Sequence, residues 1–216
     1  MGFLSVLSMA HKLIKERVSP GDLVVDATCG NGVDTLMLAE LTGPRGCVYA
    51  FDIQEQALER TRDRLAAAFG DDSAAESPSH IEGNGSAAKQ KRKPEVHLVL
   101  DSHEAMANHI PVGSHGRAAA VMFNLGYLPG ADQTVITKPE TTIAALDSAV
   151  RLLRIGGIIT VVLYPGHSGG DTETREVEQW ASSLSVQDCQ SVIYRMAQRA
   201  DAPYLIAIEK KVHLAP

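Results

Sequence analysis

Cysteine is scarce in this chain. Its three copies, Cys29, Cys47 and Cys189, are odd in number, form no CxxC pair and show no zinc-binding spacing. That pattern argues against a disulfide framework, suggests no metal centre, and fits a reduced intracellular compartment. Long hydrophobic runs are missing too: no apolar stretch approaches the ~20 residues of a membrane span. The opening segment, MGFLSVLSMAHKLIKERV, has neither a signal-peptide core followed by a small-residue cleavage site nor an Arg- and Ser-rich transit pattern. Positive charge is in deficit. The net charge is −6 and the pI about 5.7, which speaks against a broadly basic nucleic-acid binder, since phosphate contacts need Lys and Arg. A local basic patch stays compatible with that balance. Aromatics make up only 5% of the chain. What is present is ordinary globular composition, 44% apolar and 21% charged over 216 residues. Whole-chain disorder, collagen and coiled coil are thereby excluded, and one domain over 1–216 is expected.

Apolar periodicity predicts a helix over 2–18, with Leu4, Leu7, His11, Ile14 and Val18 at three- and four-residue spacing. Strands follow at 23–28, 47–53, 96–101, 117–126 and 158–164. Between them lie helices at 30–42, 54–69 (inner face Ala57, Leu58, Leu65 and Phe69), 139–154 and about 171–184, and a short helix or turn at 103–109. Segments 189–196 and 203–211 read as a closing antiparallel hairpin. Residues 70–95 are rich in Ser, Ala, Gly and charge, and read as a flexible surface insertion. Strands alternating with helices predict an α/β, Rossmann-like fold. Its sheet has seven strands and is mostly parallel, with a C-terminal antiparallel hairpin and helices on both faces.

In such a sheet, ligands bind beyond the carboxyl ends of the strands. Those ends carry the unusual residues: Asp26 to Asp34 (DATCGNGVD), Asp52, Asp101-Ser102-His103, Asn124 to Tyr127, and Tyr164-Pro165-Gly166-His167. Gly30 and Gly32 let the backbone approach a ligand and free the next helix N-terminus to face it. Asp52 lies 20 residues after Gly32, where an acid can hold a ribose hydroxyl pair. Thr35 stands where the dinucleotide fingerprint needs its third glycine, so a nucleoside is favoured over a pyrophosphate. Asp26 suits an ammonium group. A strand-end acid, a glycine turn and a ribose acid together describe an S-adenosylmethionine site; the plainer reading is a tight βα turn. Asp101, Ser102 and His103 can contact the adenine, or Ser102 can simply cap a helix. Asn124 can accept a hydrogen bond from an amine and aim its lone pair, and Tyr127 can stack on a base. The N-x-x-Y spacing is similar to the N-P-P-Y motif of amino-directed DNA methyltransferases without its prolines, though a Gly-Pro turn would look alike. His167 or Asp171 can receive a proton, or Asp171 can merely cap the next helix. His11 lies on the apolar side of the first helix, as a site residue or a structural one. Cys29 reads as packing.

These residues resemble a known group. HKLIKERVSPGDLVVDATCGNGVDTLMLA, FDIQ, DSHE, FNLGYLPGADQTVITKPETTIAAL and YPGHSGGDTETREVEQW are similar to a small bacterial family long labelled rRNA methylase, across nearly the whole chain except 70–95. The resemblance implies a class I S-adenosylmethionine-dependent methyltransferase. Its cofactor-binding positions fall on Asn31, Gly32, Asp34, Asp52, Gln54, Ser102 and His103. Members are similar to the enzyme that converts 5-aminomethyl-2-thiouridine to 5-methylaminomethyl-2-thiouridine at the tRNA wobble position. The resemblance therefore implies a tRNA anticodon stem-loop as substrate. On the residues' own chemistry, Tyr127 and Tyr164 are expected to contact its base, with His167 and His11 as further substrate-binding candidates. The insertion departs from the compact bacterial pattern and hints at a eukaryotic member. The compartment would be the cytoplasm for a bacterial chain, a plastid or mitochondrion for a eukaryotic one.

Lys89, Lys91, Arg92 and Lys93, and the trio Arg60, Arg62 and Arg64, are candidates for RNA contact; a solubilising linker and a solvated helix face are the plainer readings. An anticodon loop is single-stranded, so stacking and shape can carry much of its recognition. The first helix or terminal hairpin could pair two subunits as a homodimer. Rival readings are a methyltransferase acting on rRNA, a small amine or a protein, and a non-catalytic nucleotide-binding protein of the same fold.

Overall fold

The computed structural model describes residues 2–70, 93–126, 137–165 and 170–212. Of the stretch read as an insertion, 71–92 lie outside the described residues, as do Tyr127, His167, Lys89, Lys91 and Arg92.

Seven strands form one sheet: β1 (Leu23–Asp26), β2 (Cys47–Asp52), β3 (Glu95–Leu100), β4 (Ala118–Asn124), β5 (Leu153–Leu163), β6 (Cys189–Tyr194) and β7 (Tyr204–Lys210), in the order β3-β2-β1-β4-β5-β7-β6. The first five are parallel neighbours, and β7 runs antiparallel to both β5 and β6. The central strands are apolar on both faces. Val24 and Val25 in β1, and Ala118 to Val121 in β4, are fully buried, as expected when helices cover a parallel sheet on each side. One face packs under α1 (Val6–Lys15), α2 (Val33–Thr42) and α3 (Glu55–Phe69), around Ile14, Leu38 and Leu65. The other packs under α4 (Met106–His109), α5 (Pro139–Leu152) and α6 (Gly170–Ser183), around Met106, Leu146 and Val177.

The first helix and β5 depart from the sequence reading. The first helix spans 6–15 rather than 2–18, and its inner face is Ala10 and Ile14; Leu4 and Leu7 stay 44% and 40% exposed. The heptad-like stripe drifts off the core side, and Leu7 and His11 turn to the wall of a cavity. Next, β5 begins at Leu153, straight from α5, and not after the Gly156-Gly157 pair. Gly156, with φ +71, takes up a bulge between the pairs Ala118–Leu153 and Ala120–Ile158, so the strand continues where a break was read. At one edge of the sheet, β3 is half-buried.

Gly32 caps α2 at φ +74, and a Cβ there would stand 2.8 Å from the Thr61 Cα on α3. Both the left-handed backbone and the close helix approach require glycine. Gly32→Ala is expected to cost roughly 1–3 kcal/mol in urea unfolding; a change under about 0.5 kcal/mol, the ordinary surface range, would contradict this packing.

Candidate active site at the carboxyl ends of the strands

The loop from β1 to α2 is built around two carboxylates. Asp52, at the end of β2, accepts from Gly30 N (3.0 Å) with one oxygen and from Gln54 N (2.9 Å) with the other. The glycine turn is thus latched to the next strand, and the carboxylate keeps lone pairs facing the cavity it lines. Burial pushes its pKa up, against the pull of those backbone N–H groups. Asp26 does a different job from the ammonium contact expected of it. It is buried and accepts from Thr35 Oγ1 (2.6 Å) and Thr28 N (3.2 Å), behind the cavity wall. Burial, with the neighbouring Asp34 second, lifts its pKa from an ordinary 3.8 to about 7. The acid that does line the cavity after the glycines is Asp34, whose Oδ1 lies 2.6 Å from His11 Nε2.

Arg60 and Arg64, read as RNA-contact candidates, fold onto the glycine turn. Arg60 Nη1 donates to Asn31 Oδ1 (3.0 Å) and Arg64 Nε to the Asn31 carbonyl (2.7 Å). Arg62 remains exposed. Asn31 lines the cavity with its side chain already held.

At the end of β3, Asp101 takes the Ser102 N–H (2.7 Å) and His109 Nε2 (2.7 Å), and the bond from His109 is the main pull lowering its pKa. Ser102 Oγ accepts from Glu104 N, so the helix-cap role is present beside its place in the cavity wall. His103 is 93% buried by the 7% it exposes. Burial presses its pKa down to about 4, against a bond to the Ala27 backbone. It is therefore neutral at physiological pH, and its Nε2 has no partner among the described residues.

β4 delivers Asn124. Its backbone N–H donates to Thr28 Oγ1 (2.7 Å), tying β4 to the end of β1. Its side chain is bonded to Tyr164, at the end of β5, while its Oδ1 is buried without a partner among the described residues. Burial raises the Tyr164 pKa, with Asp34 adding to the shift. Beyond Asn124, Gly126 N donates to Thr137 Oγ1 (3.1 Å) and Thr137 N to the Gly126 carbonyl (3.1 Å), which ties these two residues together as a closed base. Glu173 fastens that base from α6, accepting from Thr137 (2.7 Å) and Thr142 (2.7 Å); burial raises its pKa against both bonds.

These walls enclose a cavity of about 570 Å³, within the usual range for small-ligand sites. Of the sequence candidates, His11, Gly30, Asn31, Asp34, Asp52, Gln54, Asp101, Ser102, His103, Asn124 and Tyr164 line it. Asp26 and Gly32 shape it from behind. Asp171 is exposed in the first turn of α6, outside the lining. The sequence reading missed Leu7, Thr28, Glu104 and Lys138 in the wall. Cys29, read as packing, is buried, and burial raises its thiol pKa well out of the reactive range.

Comparison with known proteins adds names to this geometry. The family described as "Putative rRNA methylase" matches residues 48–209, and a methyltransferase domain family matches 19–75. The "tRNA (mnm(5)s(2)U34)-methyltransferase, chloroplastic" of Arabidopsis thaliana is 37% identical over 208 residues, 94% of this chain and 68% of that protein. A "putative rRNA-methylase" structure from Clostridium thermocellum is 37% identical, with TM-score 0.81 over 97% of this chain and 100% of that one. A "putative methyltransferase" from Streptococcus mutans, solved in complex with SAH, is 30% identical, with TM-score 0.76 over 97% of this chain and 99% of that one.

Proposed function

Since the chain belongs to the "Putative rRNA methylase" family of methyltransferases, we propose that it methylates the amine of 5-aminomethyl-2-thiouridine at the tRNA wobble position, giving 5-methylaminomethyl-2-thiouridine. The methyl donor is S-adenosylmethionine. The walls fit such a donor on their own chemistry. Asp52 is held rigid by two backbone N–H groups with lone pairs to spare for a hydroxyl pair. The unpartnered Nε2 of neutral His103 asks for a hydrogen-bond donor, which an adenine amino group is. Asp34 supplies negative charge on the same wall. When bound, the donor supplies an electrophilic methyl on a positively charged sulfur.

The observation that carries the reading is Asn124. A buried amide oxygen without a partner is costly unless a ligand satisfies it. An amine N–H does so and leaves the nitrogen lone pair free to point elsewhere. The Tyr164 bond fixes the amide in that orientation. An aminomethyl group is largely protonated at neutral pH, so a proton must leave before its lone pair exists. His167 lies outside the described residues and Asp171 outside the cavity wall. His11 is in the wall, its Nε2 2.6 Å from Asp34 Oδ1, and an imidazole nitrogen is a group that can take up a proton. The side chains thereby place the acceptor and accommodate its proton; alignment supplies most of the acceleration. Lys138 in the cavity wall and Arg62 on the exposed face of α3 offer positive charge to RNA.

The named relative's substrate supports the wobble-position reading. Mass analysis of tRNA nucleosides from cells lacking the gene tests it. Accumulation of 5-aminomethyl-2-thiouridine, reversed by restoring the gene, is the expected result. An unchanged tRNA profile rejects it and directs attention to rRNA, small amines or proteins.

A further inference from the structure

The far end of the sheet holds a second cluster of chemistry. Cys47 opens β2 and Glu95 opens β3, and the two are register partners across the parallel ladder. His97 follows Glu95 by two residues, so its side chain leaves the same face of the strand, beside Tyr49. One Cys Sγ, one carboxylate oxygen and one imidazole nitrogen lie within 4.8 Å of one another. His97 Nε2 and Glu95 Oε1 are already 3.0 Å apart. The His97 ring stacks on Tyr49, with centroids 4.4 Å apart and planes 17° from parallel, which fixes its direction. Glu95 is exposed and the other two are half-buried, so solvent reaches the cluster.

We propose that Cys47, Glu95 and His97 bind a divalent cation of borderline softness, Zn²⁺ foremost, at the outer edge of the sheet opposite the cofactor pocket. The donor set is the argument. Sulfur with imidazole selects Zn²⁺ over Mg²⁺ and Ca²⁺, which prefer all-oxygen shells. Zn–N and Zn–O bonds of about 2.1 Å and a Zn–S bond of about 2.3 Å put tetrahedral ligands within about 4 Å of each other. Small side-chain rotations bring this trio to that spacing. The Cys47 thiol releases its proton to solvent as the sulfur–metal bond forms. His97 binds as neutral imidazole, Glu95 as carboxylate, and a water completes the tetrahedron; no electron changes hands. Zn²⁺ here joins β3, an edge strand, to β2. It stands far from methyl transfer: Cys47 and Asp52 are the two ends of one six-residue strand, five steps of about 3.3 Å, or roughly 17 Å apart.

Cobalt titration of the metal-stripped full chain, in a phosphine reductant, reads the site directly. The expected result is a near-ultraviolet thiolate-to-cobalt band saturating at one equivalent, and a melting temperature that rises with added Zn²⁺. Cys47→Ser should abolish the band, and His97→Gln should weaken binding by about tenfold or more. Melting of both variants without metal shows whether they fold, and the unaltered chain decides even if they do not. No band at about millimolar Co²⁺, a concentration at which only very weak sites stay empty, overturns the proposal. So does a band that survives Cys47→Ser.

Discussion

Asn124→Ala is expected to lower the rate of methyl transfer by on the order of 10²–10³-fold, with the dissociation constant for S-adenosylmethionine held within about threefold. The reason is the separation of two jobs at one residue. The backbone N–H of Asn124 bonds Thr28 Oγ1 and holds β4 against β1; alanine keeps that bond. The side chain does something else: one end of its amide meets Tyr164, and the other is a buried oxygen with no partner among the described residues. Alanine removes only the group placed to meet the acceptor. Calorimetry with the cofactor, beside single-turnover assays on an aminomethyl-bearing anticodon stem-loop, separates the terms. Equal collapse of cofactor binding and rate would show that Asn124 belongs to the cofactor, and the acceptor role would be wrong.

Asp52→Ala should give the opposite signature. The carboxylate satisfies Gly30 N and Gln54 N at once, and hydrogen bonds to a charged group contribute about 1.5–3 kcal/mol each. Without it the glycine turn loses its tie to β2, and the ribose loses its acceptor. Affinity for S-adenosylmethionine should fall by about 100-fold or more, which corresponds to about 2.7 kcal/mol. Saturating cofactor should restore much of the rate, since no acceptor contact is touched. Asp52→Asn keeps one carbonyl oxygen and should lie between. A cofactor affinity within about threefold of the unaltered chain in Asp52→Ala would mean that this acid only braces the loop.

The strand-end acids were legible because their pattern is local: an apolar run, an acid, then glycine or a turn. Apolar runs placed β1, β2 and β4, since strands covered on both faces are apolar throughout. Pattern failed where long-range geometry decides. Asp26 reads like a ligand acid, yet Thr35, nine residues on, claims it from behind the wall. Arg60 and Arg64 read as a solvent-facing basic stripe, yet α3 packs against the glycine turn closely enough for both to reach Asn31. Glu173 looks like one more acid in a charged helix. Only the fold reveals it as the anchor for Thr137 and Thr142. The Gly156-Gly157 pair looks like a strand start because glycine ends most patterns, whereas here it lets one strand bend and continue.

The place of β7 bears on how the chain is made. A ribosome delivers β6 before β7, but β7 lies between β5 and β6 in the sheet. Until its residues emerge, β5 has one ladder of backbone groups unpaired, and β6 has no strand to join. Lys210, at the end of β7, also donates from Nζ to the carbonyls of Val150 (2.8 Å) and Leu153 (2.8 Å), where α5 passes into β5. A helix terminus built some sixty residues earlier in synthesis thus waits for this lysine. The cofactor-holding strands, β1 to β4, are complete long before then. The sheet order therefore leaves the β5 edge without its partner until residues 204–210 have been made, and the docking of β7 is what closes the sheet.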